Sequence, residues 1–226
     1  MWTAAALVSD FQTFSGEVWR MVESQANSAT MRLTDSLAEQ ARLEELIDIS
    51  KPPWPAECEG LDYLLATPFR YRPYPVGSRF RRAGQNEGVF YASEQVATAA
   101  AESAYYHCLF FAESPQARRP AAPVERTAFS VRISTRRGID LPADVPDDYA
   151  ACQDFADQAR AAKSDAIRYV SRRCPRHGLN LALLTPAAFR DRKPRHIQTW
   201  HMLLSGDIVR AWSENPRQRL EFRSAT

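Results

Sequence analysis

From Gln95 to Ala112 the chain reads QVATAAAESAYYHCLFFA, and Glu102 is its only formally charged side chain. A helix on a solvated surface normally scatters several charges along its outer face. This run sets one acid among Ala, Tyr, Cys, Leu and Phe. Whatever the chain folds into must therefore cover an apolar helix and find a use for its carboxylate. Such an acid is either paired or held charged for a purpose. On this ground structure and catalysis are equally open.

The stretch upstream has the opposite bias. PFRYRP and GSRFRR bring Arg70, Arg72, Arg79, Arg81 and Arg82, and no carboxylate occurs between Asp62 and Glu87. In an extended FRYR, Arg70 and Arg72 point to one face, because strand side chains alternate. With Arg79 arriving through a Gly-Ser turn they would suit a phosphate or pyrophosphate, since guanidinium offers planar, multi-donor recognition. A solvated basic rim, or salt bridges to acidic residues of the N-terminal helix, is the competing reading. Tyr91 stands at the end of GVFYA, where it either stacks on a planar heterocycle or packs in the core. Eleven residues separate Tyr91 from Glu102, so a strand end, a tight turn and a few helical turns would bring both to one cleft.

The 226 residues suffice for one sizeable domain with an appendage. A hydrophobic share of 45% allows a real core, and a net charge of +2 is too weak to imply direct nucleic-acid binding. Cys58, Cys108, Cys152 and Cys174 are widely spaced and form no CxxC, and CPRH at Cys174 lacks a second ligand pair, so no metal site is expected. The start, MWTAAALVSDFQ, has no basic segment before its short apolar run, and no stretch reaches membrane-span length. A soluble cytoplasmic protein with reduced thiols and no membrane partner is expected.

Residues 1–50 lack proline and carry helical spacing, with Trp19, Val22 and Ala26 on one helix and Leu33, Leu37, Leu43, Leu46 and Ile47 on a second. KPPWP at Lys51–Pro55 ends that region. The expected division is an N-terminal helical extension over 1–60, serving as an oligomerisation arm or a brace, and a main domain over 61–226. In the main domain PFRYRP and GVFYA read as strands, and Ser93 as the N-cap of a helix over Glu94–Ala112. Phe129, Val131 and Ile133 alternate as in a half-buried strand, and Tyr149–Ala162 looks helical. AIRYVS places Ile167, Tyr169 and Ser171 on one face; NLALLT is a continuous apolar strand. IQTWHMLL and IVRAW flank Ser205-Gly206-Asp207 as a hairpin. Strands and helices mix without strict βαβ alternation, which favours α+β with a mixed or antiparallel sheet.

Other candidates are weaker. His196 and His201, five apart on an expected strand, face opposite ways, and His107 reads as a core or helix-surface histidine. GxSxG, Walker, GxGxxG and HExxH motifs are absent.

FRYRP, GSRF, GVFYAS, the alanine-rich helix bearing Glu102, and IRYVSRR follow in an order that resembles the RES domain, named for its arginine, glutamate and serine. The resemblance covers roughly Tyr63 to Trp212. It identifies Ser171 as the family's serine, Arg79 as its arginine in a Gly-Arg-aromatic setting into which this chain inserts Ser78, and Arg70 or Arg72 as its strand arginine. The resemblance implies a fold similar to ADP-ribosyltransferase toxins, NAD as substrate, and no metal. It implies cleavage of the nicotinamide–ribose bond by phosphorolysis, hydrolysis or ADP-ribosyl transfer, in the toxin of a bacterial toxin–antitoxin pair. The expected partners are an Xre-like helix-turn-helix antitoxin, phosphate or a protein as acceptor, and a second copy of the chain as a homodimer. Arg79, Glu102 and Ser171 are then the expected catalytic residues, and Arg70, Arg72, Arg79 and Tyr91 the expected NAD contacts. A non-catalytic binding module on the same scaffold is the alternative.

Overall fold

The computed structural model describes residues 2–24, 30, 33–70, 75–114 and 116–223. Its helices are α1 (Ala4–Ser9), α2 (Leu37–Ser50), α3 (Tyr63–Ala66), α4 (Val96–Glu113) and α5 (Tyr149–Ala161). Its strands are β1 (Gln12–Glu23), β2 (Phe90–Ser93), β3 (Val124–Asp140), β4 (Ala166–Val170), β5 (Leu179–Leu183), β6 (Ile197–Ser205), β7 (Ile208–Glu214) and β8 (Arg217–Arg223). Among the described residues these form one sheet in the order β1-β2-β5-β4-β3-β6-β7-β8. β1 also pairs with β3, from Gln12 opposite Gly138 to Glu23 opposite Arg126, so β1, β2, β5, β4 and β3 close into a ring. Only β3 and β4 run parallel. The architecture is α+β with a mixed, largely antiparallel sheet.

Three packed regions explain the strand sequences. Leu181 and Leu183 meet Phe14, Val18, Phe90 and Phe129 in one core. Ala182, between them, packs with Ile167, Phe155 and Ala156 beneath α5 in another. A strand covered on both faces needs apolar residues at every position, hence the unbroken NLALLT. In the third region Ala100, Ala101 and Ala104 of α4 lie on Trp200, Met202 and Val209 of the sheet. Alanine on that stripe lets the helix approach closely, so α4 carries no charge there.

The N-terminal segment differs from expectation. Trp19 and Val22 belong to strand β1, not to a helix, and Ala26 lies outside the described residues. Val18 and Val22 pack into the first core while Trp19 and Met21 pack into the third, a period of two. Pairing with β3 along its whole length overrides the helical spacing. The second expected helix forms as α2 and stops before the prolines, with Ser36 accepting from the Glu39 amide as N-cap. None of its residues is buried; Leu37, Leu46 and Ile47 are exposed, as is Leu33 before it. The described part of residues 1–60 is thus not a purely helical appendage, because β1 closes the main sheet.

Two smaller expectations also change. Ser93 does not cap α4: it continues β2 and donates to Asn180 Oδ1 at 2.6 Å, and the helix starts after Gln95 without a side-chain cap. PFRYRP is not a described strand. Phe69 ends a 3₁₀ turn over Thr67–Phe69, Arg70 follows it, and residues 71–74, Arg72 among them, lie outside the described residues. The expected strands around Ile133, Ile167 and Leu181, the helix from Tyr149, and the hairpin through Gly206 all form. Gly206 takes a positive φ of 63°, the conformation such a turn requires.

Candidate active site

One side of α4 presents Ala99, Glu102, Ser103, Tyr106 and Phe110 to a cleft of about 930 Å³. These positions share one helical face by their spacing of three and four. Opposite them stand the loop Gly77–Arg79, Tyr91 of β2, Tyr169 of β4, Asn180 of β5 and the second half of β1.

Glu102 is held by one oxygen. Its Oε1 accepts from the Ser171 hydroxyl at 2.7 Å and from Asn180 Nδ2 at 2.7 Å. Oε2 has the Arg173 guanidinium as its charged neighbour, at 4.0 Å. Ser171 is fully buried behind Glu102; its oxygen also accepts from the amides of Arg173 and Cys174, which turns the chain after β4. Asn180 is tied in turn to Ser93. Gly178 brings this turn against α4: a Cβ there would lie 2.1 Å from Thr98 Oγ1. A carboxylate fixed through one oxygen keeps the other for a ligand in the cleft.

The GSRF segment is a tight turn in which Ser78 and Arg81 form an antiparallel bridge. A Cβ on Gly77 would meet the Arg81 carbonyl and Gln153 at 2.9 Å. The turn is held from three sides. Tyr91 OH hydrogen-bonds with the Ser78 hydroxyl at 2.8 Å and accepts from the Phe80 amide at 3.1 Å. Gln153 donates to the Ser78 and Arg81 carbonyls, and Arg160 to that of Phe80. Arg79 is thereby fixed at the cleft wall, 5.3 Å over the Tyr169 ring and ion-paired with Asp147. Asp147 also binds Arg172, at 3.1 Å. Burial pushes the Tyr91, Tyr106 and Tyr169 phenols up, so these rings act as neutral walls.

Tyr91→Phe keeps the ring and removes the hydroxyl that the Phe80 amide and Ser78 use. Urea unfolding should show a loss of about 1–3 kcal/mol. An unchanged midpoint would mean that the hydroxyl does not anchor the turn.

Of the residues expected at the site, Arg79, Tyr91 and Glu102 line the cleft, and Ser171 supports Glu102 from behind. Arg70 goes elsewhere: it donates to Asp48 at 2.6 Å and to the Pro52 carbonyl at 2.7 Å, under the Trp54 ring, and does not line the cleft. Arg82 pairs with Asp154 and Asp157 of α5. Arg70, Arg79 and Arg82 therefore split up, each paired with acids from a different part of the chain. Asn180 and Arg173 were not singled out from the sequence, although Asn180 is the lone amide in an apolar strand and Arg173 follows Ser171 by two. His107, expected in the core or on the helix surface, lies on the cleft beside Arg126. Among the described residues no group of three or more His, Cys, Asp or Glu side chains could hold a metal ion, and no helix is long and apolar enough to cross a membrane.

No curated protein matches the chain. A family model, the RES domain, matches residues 52–205, well over half of the sequence, and includes the Arg79 turn, Glu102 and Ser171. The chain belongs to the RES domain family.

Proposed function

We propose that the cleft binds NAD as a substrate and that the protein cleaves its nicotinamide–ribose bond. The observation that carries this reading is the carboxylate of Glu102, clamped through Oε1 by Ser171 and Asn180 with Oε2 left to the cleft. The scissile bond is N-glycosidic. As it breaks, its electron pair leaves with the nicotinamide nitrogen and positive charge develops on the ribose in an oxocarbenium-like state. A prefixed carboxylate stabilises that charge without reorganising, and accepts a hydrogen bond from a ribose hydroxyl. Arg79 would hold the pyrophosphate or the nicotinamide-side phosphate, and the Tyr91 ring would stack on nicotinamide or its ribose. Ser171 acts on Glu102, not on the substrate. The acceptor at the ribose carbon is phosphate, water or a protein side chain.

RES domains are associated with NAD-acting toxins of toxin–antitoxin pairs, and the same reading extends to this chain: a cytoplasmic toxin restrained by an Xre-like helix-turn-helix partner that covers the cleft. The test is nicotinamide release from NAD by the purified protein, with and without phosphate. Release that rises with phosphate indicates phosphorolysis, and release without it hydrolysis. Saturable NAD binding with no release, even when cell lysate supplies protein acceptors, would instead support a binding module.

A further inference from the structure

The arginine assigned to the phosphate does not stand alone. Asp147 pairs through Oδ1 with Arg79 and through Oδ2 with Arg172 Nε, the second at 3.1 Å. One carboxylate thus bridges two turns that are far apart in the chain. Arg79 belongs to the turn anchored by Tyr91, and Arg172 directly follows Ser171, whose hydroxyl clamps Glu102. Arg79 lines the cleft, whereas Asp147 and Arg172 do not, so a ligand in the cleft feels them through Arg79.

The three side chains differ in their freedom. That of Arg79 is 9% exposed and packs over the Tyr169 ring, so it is fixed. Asp147 has its backbone held on both sides, by buried Val145 and by Asp148, which accepts from the Ala151 amide at 2.7 Å as the N-cap of α5. Its carboxylate remains partly exposed, and the Arg172 side chain is 59% exposed. The carboxylate can therefore lean to either arginine, and Arg172 can follow it. A guanidinium that already carries a carboxylate offers little net charge to a second anion, and the two anions repel. Two guanidiniums against one carboxylate nevertheless leave one positive charge in the trio. A phosphate at Arg79 gains that charge in full only when Asp147 shifts to Arg172.

We propose that Asp147 is a positioning residue that competes with a ligand phosphate for Arg79, and that Arg172 takes over its carboxylate when the phosphate binds. This rests on the reading of Arg79 as the phosphate contact.

The test is calorimetric titration of inorganic pyrophosphate into the whole protein, which needs no turnover. The parent should bind it saturably. Asp147→Asn keeps an oxygen for Arg79 but removes the competing charge, and should bind about tenfold more tightly. Arg172→Ala leaves Asp147 paired with Arg79 alone. It should weaken binding about threefold, a smaller change because the Arg172 guanidinium is screened by solvent. In the double variant the Arg172 effect should vanish, since no carboxylate is left to redirect. A residue that merely buttressed Arg79 would give the opposite sign in Asp147→Asn, and an Arg172 that touched the phosphate itself would keep its effect in the double variant. Unchanged or weaker binding in Asp147→Asn, unchanged or tighter binding in Arg172→Ala, an Arg172 effect that persists in the double variant, or no pyrophosphate binding by any of these proteins would each overturn the proposal. The expected pattern in a protein that releases no nicotinamide would overturn the catalytic reading and leave this one standing. Nicotinamide release with a pyrophosphate affinity indifferent to Asp147→Asn would do the reverse.

Discussion

Replacing Glu102 with glutamine should lower nicotinamide release by about 10²–10³-fold, the scale seen when one prefixed electrostatic contact to a transition state is removed. The fold should survive because of how the side chain is held. Ser171 and Asn180 both donate to Oε1, and the glutamine oxygen can accept both bonds in the same position. The amide nitrogen then replaces Oε2, where a carboxylate oxygen now lies 4.0 Å from Arg173. Charge is lost at the position facing the cleft while the supporting bonds remain. The effect should fall on kcat more than on KM, since the charge it answers exists only as the bond breaks. Circular dichroism and urea unfolding alongside the rate measurement separate the two roles. A variant that folds normally and releases nicotinamide at the parent rate would remove Glu102 from the chemistry.

Arg79→Ala is the second large effect expected, and it should appear mainly in KM. Losing one partner of a partly desolvated, hydrogen-bonded charge contact costs about 2–5 kcal/mol, which is roughly 30-fold to several thousand-fold in kcat/KM. Truncation often leaves the opposing charge stranded, but Asp147 keeps Arg172 at 3.1 Å, so structural loss should be small. Arg82→Ala is the matching control. It lies three residues on in the same basic run, yet pairs with acids of α5 and does not line the cleft. Its kinetics should match the parent. Equal losses in the two variants would mean that the basic run acts through the fold and not through a ligand contact.

Much of the main domain was readable because its signals are local. The alternation of Phe129, Val131 and Ile133, the apolar run of NLALLT and the Gly206 turn each state their own structure within a few residues. The order of GSRF, the acid-bearing alanine helix and IRYVS, carried by backbone turns and periodicity, was enough to indicate the family. The N-terminal strand was not readable. Trp19 and Val22 fit a helical period, and only an opposing strand more than a hundred residues away makes the period of two win.

The site divides along the same line. That Glu102 needed a partner or a purpose followed from composition alone, since an isolated carboxylate on an apolar helix is costly. Which groups would hold it did not follow, because Ser171 and Asn180 lie 69 and 78 residues away and meet it only when β4 and β5 pair beneath α4. The arginines show the reverse case. Their clustering in sequence pointed to one basic pocket, but a guanidinium goes to the carboxylate that the fold brings within reach. Asp48 draws Arg70 away, Asp154 and Asp157 take Arg82, and Arg79 alone of these stays at the cleft. By itself the sequence determined most strands and turns of the main domain and the presence of an acid that had to be accounted for. The tertiary structure decided its partners, because hydrogen bonds and ion pairs depend on distance in space, which long-range strand pairing sets.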